Sequence, residues 1–303
     1  MELRHTVLQG GTLYEVLRRE LRMSTSLIGR LKFRQALLVN GEPRRTNYPL
    51  SPGDELRIRL LEPEPNYPPE EGPLHILFED EHLIAVDKPM GLIVHPSPAR
   101  MTGTLANRLL WHYREQGSDA AVHPLTRLDR DTFGVVLLAK HSHAHALLSE
   151  QQRRGGMEKT YRALVLGAPE AQRIEAPILR PDPRSMIRTV GEGGKDAVTL
   201  LTPLETDGRI SLVELRPVTG RTHQLRVHCL SIGCPILGDP QYCSAESRDL
   251  SQALSLVGQQ LGAMRLRFCH PFTGEAMELR SGFSLGLEKF VAPGTDPVYN
   301  KDN

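Results

Sequence analysis

Charged side chains crowd one short stretch of the chain, Thr126–Gly134, which contains Arg127, Asp129 and Asp131. The stretch directly precedes Gly134–Ala139, an apolar run with the length and composition of a buried strand. A carboxylate that lies among arginines is expected to stay ionised at neutral pH, as a nucleophile or a general base requires. A salt-bridged turn is the alternative explanation of the same pattern.

A second polar cluster covers Thr219–His228, where a Thr-Gly turn is followed by a helical pattern. Arg221 lies at the predicted start of that helix and could reach a carboxylate. Its planar guanidinium suits bidentate pairing, which a lysine could not copy. An ordinary basic helix start is the alternative explanation of this cluster.

Other chemistry-bearing residues are weaker candidates. Asp129 and Asp131 could form the paired carboxylates of a glycosidase, but the neighbouring motifs do not fit that chemistry. Two groups of His and Cys residues could suggest a metal site, but in the first a helical pattern would point the three histidines apart, and in the second the spacings match no common structural site. We therefore expect no metal. These groups are His141, His143 and His145, and His228, Cys229, Cys234 and Cys243.

The chain divides at residues 61–73, which hold five prolines and four acids and can form neither a helix nor a central strand. We interpret this segment as a semi-rigid extended linker. It separates a small domain at 1–60 from a large domain at 74–291, and a polar tail follows at 292–303.

Charge differs between these parts. The 303 residues contain 37 Lys and Arg against 36 Asp and Glu, a net charge of +1 that by itself argues against a nucleic-acid partner. Residues 1–60, however, hold 11 basic and 6 acidic residues, a net charge of +5. Five basic side chains could converge on a phosphate backbone, although a solvated basic face is the alternative. They are Arg30, Lys32, Arg34, Arg44 and Arg45.

The small domain is predicted to contain two helices and two strands. We place them at Thr12–Leu21, from Ser24 or Ser26 to Phe33, at Ala36–Val39 and at Leu56–Leu60. Asn40-Gly41 after the first strand is a strong hairpin signal. The order of residues in Ser26–Arg30, Ala36–Glu42 and Leu50–Asp54 resembles an S4-type RNA-binding domain.

The large domain interleaves strands and helices without a regular βαβ rhythm, which favours an α+β fold on a mixed, mainly antiparallel sheet with flanking helices. Strands are predicted at 74–78, 82–86, 134–139, 161–166 and 210–215, and helices at 104–113, 144–153, 223–230 and 250–261.

Five motifs between about residues 83 and 275 make this domain similar to the RluA-type pseudouridine synthases. They are Asp87–Pro96, Arg127–Thr132 with Gly134–Lys140, Glu158–Val165, Gly220–His228, and Pro235–Pro240 with His270-Pro271. An S4-type domain ahead of the catalytic domain is common in this family. Two positions depart from the family pattern, because Thr126 stands in place of a usual His and Phe133 in place of a usual Ser.

The resemblance assigns roles to individual residues. It makes Asp129 the essential carboxylate, acting by attack at C1′, addition at C6 or abstraction of a sugar proton. Arg221 would pair with Asp129, and Tyr161 would stack beneath the target base, which must leave its helix. Arg127 would probe the gap or hold the flipped nucleotide's phosphate, and Leu225 would form an apolar wall.

The resemblance implies an enzyme that isomerises uridine in structured RNA and needs no cofactor, since the reaction involves no redox change. Ribosomal RNA is the favoured substrate because S4-bearing members often act there. The alternatives are a transfer RNA substrate or a non-catalytic RNA-binding protein on the same fold. Four cysteines form no disulfide framework, and no signal or membrane-spanning pattern is seen. We therefore expect a cytoplasmic protein, and we expect separately that it is a monomer.

Overall fold

A computed structural model describes residues 1–286 of the chain, so the predicted tail at 292–303 lies outside the described residues. The first 60 residues form a four-stranded sheet in the order β1-β6-β3-β4, a small β2-β5 pair and two helices. Their elements are β1 (Glu2–Thr6), β2 (Gly11–Thr12), α1 (Leu13–Arg19), α2 (Thr25–Phe33), β3 (Leu37–Val39), β4 (Glu42–Pro43), β5 (Pro49–Leu50) and β6 (Glu55–Arg59).

Local sequence signals explain the start of each of these helices. The Thr12 side chain caps α1 in a reciprocal capping box with Glu15, and the Ser24 side chain accepts the Leu27 N–H at the start of α2. Asn40 and Gly41 both have positive φ (50° and 88°), which matches the predicted tight hairpin between β3 and β4. The inward faces of these elements pack into one apolar core cluster.

Residues 61–73 form no helix or strand, as predicted, but they are fastened to the following part of the chain. Glu62 accepts the Ser142 N–H at 2.8 Å and pairs with His123 at 3.1 Å. Burial alone would raise the pKa of Glu62, yet these partners lower it to about 2. Tyr67 is buried in the next core cluster. The linker is therefore a fixed strap along the larger part of the molecule.

The larger part contains a ten-stranded sheet in the order β12-β15-β16-β11-β17-β10-β8-β7, with β18 beside β17 and β9 beside β10. Its elements are β7 (Ile76–Glu79), β8 (Leu83–Lys88), α3 (Leu105–Glu115), β9 (His123–Pro124), β10 (Phe133–Ala139), α4 (Ser142–Arg153), β11 (Glu158–Leu166), β12 (Gln172–Glu175), β13 (Ile178–Leu179), β14 (Thr189–Val190), β15 (Val198–Thr206), β16 (Ile210–Pro217), α5 (Gln224–Ser231), α6 (Ala245–Ala253), β17 (Leu261–Cys269) and β18 (Ala276–Arg280).

The predicted α+β class with a mixed, mainly antiparallel sheet is confirmed. Within the described residues, β10 and β17 pair in parallel and the other neighbours in this sheet are antiparallel. β10 is buried on both faces: Val136 and Leu138 pack in the cluster with α3, whereas Val135 and Leu137 pack in the cluster with α4. This two-sided burial explains its unbroken apolar sequence.

The prediction of a helix at 250–261 is wrong. The structure places α6 earlier, with Ser244 as its cap, and Leu261 begins β17. Leu250 packs from α6 into an apolar core cluster. The helix has ended by Ser255, which has a positive φ of 53°. The apolar residues of 250–261 keep a helical spacing across this turn, so the spacing alone predicted one continuous helix.

Candidate active site

Asp129 lies in the loop that leads into β10, and its side chain is 31% exposed. A buried lysine secures this loop, because Lys88 Nζ donates to the Arg130 carbonyl at 2.9 Å and to the carbonyls of Pro89 and Leu92. Burial lowers the pKa of the Lys88 ammonium to about 7, against the opposite pull of nearby carboxylates that include Asp129. Lys88 belongs to the Asp87–Pro96 motif, but nothing in the sequence of that motif indicates this role.

The loop also depends on a glycine at the start of β10. Gly134 has a φ of +104°, and a Cβ at this position would lie 2.2 Å from the Ala263 carbonyl oxygen. Gly134 and Tyr161 both pair with Ala263, from the two strands that flank β17. A side chain at position 134 would therefore force apart the strands that bring the Asp129 loop and Tyr161 to one place.

Arg226 is the partner of Asp129. Its Nη1 donates to Asp129 Oδ2 at 2.8 Å from the first turn of α5. The same guanidinium forms a bidentate pair with Asp239, at 2.7 Å from Nε and 2.9 Å from Nη2. Arg226 is 5% exposed, and the Asp239 side chain is fully buried. Asp239 therefore fixes the guanidinium that in turn orients the Asp129 carboxylate.

The prediction that Arg221 pairs with Asp129 is wrong. Arg221 is exposed, and its Nε donates instead to the Asp196 carbonyl at 2.9 Å. The Gln224 side chain accepts the Arg221 N–H at 3.0 Å, which holds Arg221 in the turn before α5. Arg226 lies within the helix, on the side that faces the Asp129 loop. Both arginines belong to the same predicted motif, and their order relative to the helix start decides which one pairs.

His223 faces the other oxygen of Asp129, with its Nε2 3.8 Å from Oδ1. The Tyr242 hydroxyl accepts the Arg188 backbone N–H at 2.8 Å and lies 2.8 Å from His223 Nδ1. We infer that the hydroxyl donates to Nδ1, which places the imidazole proton on Nε2. Burial lowers the pKa of His223, so the ring is neutral at neutral pH.

The backbone of His223 is unusual, because this non-glycine residue has a φ of 56° directly before α5. A left-handed backbone is unfavourable for a histidine, so it indicates that the packing around His223 holds the residue in this conformation. The sequence motif contained His223, but no pattern in the sequence indicates a left-handed backbone at a histidine.

Tyr161 lies on β11 at a bulge between Thr160 and Tyr161, an irregularity that can redirect a side chain. Burial raises the pKa of Tyr161 to about 12, and the negative charge of Asp129 adds to this effect. Leu225 is 7% exposed and packs in the same core cluster as Tyr161. The structure thus brings Asp129, Tyr161 and Leu225 to one region, with Tyr161 lining a small cleft beside Thr126.

Arg127 lies two residues before Asp129 and is exposed. Within residues 1–286, its side chain makes no hydrogen bond or ion pair. Arg130, by contrast, forms a bidentate pair with Asp131 at 2.9 Å. Arg127 is therefore available to a ligand, and Arg130 and Asp131 neutralise each other.

The two departures from the family pattern have structural roles. Thr126 is buried, and its hydroxyl accepts the Leu137 N–H at 3.1 Å, which ties the start of the loop to β10. Phe133 is fully buried beside Phe283 in an edge-to-face arrangement, with ring centroids 5.5 Å apart. Gly262 leaves room for the Phe133 ring, since a Cβ there would lie 2.4 Å from it.

The five basic candidates of the N-terminal part lie on its surface. Arg30, Lys32 and Arg34 are exposed at the end of α2, and Arg45 is exposed after β4. Arg44 is partly buried, pairs with Glu42 and lies over the Tyr48 ring. Their net positive character is therefore strongest at the C-terminal end of α2.

Within the part of the chain that the structure describes, no helix is long and apolar enough to cross a membrane. The same residues contain no group of three or more His, Cys, Asp or Glu side chains arranged to hold a metal ion.

Known proteins resemble this chain across the region just described. A sequence model of the family described as RNA pseudouridylate synthase matches residues 82–231, which include Asp129, Tyr161 and Arg226. The chain is 37% identical over 284 residues to an uncharacterized RNA pseudouridine synthase, YhcT, of Bacillus subtilis, with 92% of each chain covered. The chain belongs to the RNA pseudouridine synthase family. As a member of that family it is an isomerase.

Two further relatives support this assignment. The ribosomal large subunit pseudouridine synthase D of Zymomonas mobilis is 40% identical over 222 residues, 69% of each chain. The solved structure of human RNA pseudouridylate synthase domain containing 4 is 29% identical, with a TM-score of 0.56, and the match covers 72% of this chain and 90% of that one. The predicted family and the pseudouridine synthase fold are therefore confirmed.

Proposed function

We propose that this synthase isomerises uridines of ribosomal RNA and that Asp129 is its essential carboxylate. The observation that carries the proposal is the setting of Asp129. Arg226 holds one carboxylate oxygen, His223 faces the other, and Tyr161 lies close by at the same edge of the sheet. Asp129 remains 31% exposed, so a flipped nucleotide can reach it.

The reaction is an isomerisation. The N1–C1′ bond of uridine breaks, the base turns, C5 bonds to C1′, and the C5 proton leaves while N1 gains one. Attack at C1′, addition at C6 and sugar-proton abstraction each require an unprotonated carboxylate oxygen. Asp129 Oδ1 suits this role, because Oδ2 is occupied by Arg226 and no described residue donates a hydrogen bond to Oδ1.

Three other side chains complete the proposed site. Tyr161 would stack on the extruded base and assist transfer of the C5 proton, and stacking of this kind contributes about 1–3 kcal/mol. Leu225 would form the apolar wall beside it. Arg127, which is exposed two residues before Asp129, would enter the gap left by the base or hold its phosphate.

Residues 1–60 would act as an S4-like RNA-binding domain, followed by the linker at 61–73 and the catalytic domain at 74–291. The separate core cluster and the basic end of α2 support this division. A chain lacking residues 1–60 should bind RNA more weakly and show a flatter dependence of log Kd on log salt, because phosphate contacts release counterions. An unaltered slope would remove this domain from RNA binding.

The name of the Zymomonas relative refers to the large ribosomal subunit, which favours ribosomal RNA for this chain. Transfer RNA is the alternative substrate class. Purified protein incubated with protein-free ribosomal RNA and, separately, with transfer RNA should form pseudouridine in the first. We further propose that the protein acts as a monomer in the cytoplasm, which light scattering and cell fractionation can test.

The catalytic assignment is tested by Asp129→Asn, with Asp131→Asn as a matched control in the same loop. Asp131 already pairs with Arg130, so the control changes an equivalent carboxylate outside the proposed chemistry. We expect Asp129→Asn to lose pseudouridine formation and keep RNA binding, and Asp131→Asn to keep both. If Asp129→Asn kept its activity, the assignment would be wrong.

A further inference from the structure

Phe33 is the most exposed large apolar side chain among the described residues, at 88% exposure. It ends α2 on the side opposite the buried residues Leu27, Ile28 and Leu31. Burial therefore gives no reason for an aromatic side chain here, since the ring loses almost no water-accessible surface on folding. The position invites a partner that covers the ring.

Gly29 lies one turn before Phe33 on the same side of α2. A glycine inside a helix costs about 1 kcal/mol relative to alanine. Nothing in residues 1–286 requires it, because a Cβ at Gly29 would meet no heavy atom of these residues within 4 Å and its φ is not positive. Its effect is to leave bare backbone beside the Phe33 ring, where a flat group can approach closely.

Cations surround this surface. Arg30 lies three residues before Phe33 on the same side of the helix, and Lys32 and Arg34 are its chain neighbours. Basic residues in the last turn also favour the helix dipole, which accounts for the charges but not for the aromatic ring. A ring among cations matches a ligand that carries both flat bases and phosphates.

We propose that Phe33 and the open backbone at Gly29 form a stacking site for an unpaired RNA base, with Arg30, Lys32 and Arg34 on the flanking phosphates. The inference rests on the proposed RNA substrate and adds to it. The N-terminal domain would read a single-stranded loop or bulge next to the structured target, rather than only the phosphates of a duplex.

The test compares Phe33→Leu with Phe33→Tyr in the full chain. Kd is measured for a short single-stranded RNA of mixed sequence and for a blunt RNA duplex containing that strand. We expect Phe33→Leu to weaken single-strand binding by about 5- to 140-fold and to leave duplex binding unchanged. Phe33→Tyr should retain both affinities, because it keeps the aromatic ring. Leu8→Ala, another exposed apolar position of the same domain, serves as the control and should change neither Kd.

Three outcomes would overturn the inference. Phe33→Leu could bind single strands like the wild type, or it could lose single-strand and duplex binding equally. Alternatively, the wild type could be a dimer that Phe33→Leu converts to a monomer, which would make this surface a contact between copies. Pseudouridine formation, measured on the same preparations, separates the two proposals: an inactive wild type that still needs Phe33 for single strands refutes only the catalytic one.

Discussion

Replacing Arg226 by methionine should remove both stability and activity, because one guanidinium serves two carboxylates. Arg226 donates to Asp239 through Nε and Nη2 and to Asp129 through Nη1. Burial alone would lower the pKa of Arg226, but Asp239 and then Asp129 raise it overall. Asp239 is completely buried at its side chain, so it depends on this partner.

The size of the stability loss follows from the negative charge that Asp239 keeps when Arg226 is removed. Arg226→Met leaves Asp239 buried without its cation, and breaking a buried ion pair in this way costs about 3–5 kcal/mol of the free energy of unfolding. The matched change, Arg221→Met, removes one exposed hydrogen bond to a carbonyl and should cost at most about 0.5 kcal/mol. The double variant Arg226→Met/Asp239→Asn should recover much of the lost stability, because position 239 then carries no buried charge and its Oδ1 still accepts the N–H groups of Gln241 and Tyr242.

Activity should separate from stability in this series. The double variant regains its fold but still lacks the group that orients Asp129, so it should remain inactive. Denaturant unfolding gives the stabilities, and release of the uridine C5 hydrogen from labelled RNA gives the activities. If Arg221→Met were inactive and Arg226→Met active, the assignment of the Asp129 partner would be refuted.

Three further predictions concern the groups around Asp129. Gly134→Ala should cost about 2–6 kcal/mol in the free energy of unfolding, because it combines a φ of +104° with a clash against a backbone carbonyl; a denaturation midpoint equal to that of the wild type would contradict this. His223→Ala should lower kcat about tenfold, and Tyr242→Phe should lower it less, since the Tyr242 hydroxyl acts only through the His223 ring. Unchanged kcat in both variants would show that His223 does not help to orient Asp129. The pKa of Lys88 falls from 10.5 to about 7 on folding, so the unfolded chain binds more protons between these values and this residue makes stability rise with pH there. Lys88→Met should remove that rise, and a wild-type pH slope in the variant would refute it.

The sequence predicted the local elements best where a side chain and the backbone interact directly. Thr12 and Ser24 cap the helices they were expected to begin, and Asn40-Gly41 turns the predicted hairpin. Asp129 and Tyr161 come together because their motifs lie on strands that flank β17. These outcomes depend on short-range chemistry or on strand order.

Local sequence signals do not identify the partner of Asp129. Arg221 and Arg226 are five residues apart, and the choice between them depends on where α5 begins. The helix begins after His223, whose left-handed backbone carries no sequence signal. Asp239, which fixes Arg226, approaches from another motif through tertiary packing alone.

Pseudouridine mapping in cells tests the central claim most directly. Ribosomal and transfer RNA are mapped in cells that lack this protein and that carry the wild-type, Asp129→Asn or Asp131→Asn chain. The account predicts that specific ribosomal RNA pseudouridines disappear without the protein, return with the wild type and Asp131→Asn, and stay absent with Asp129→Asn. Return of those pseudouridines with Asp129→Asn would contradict it.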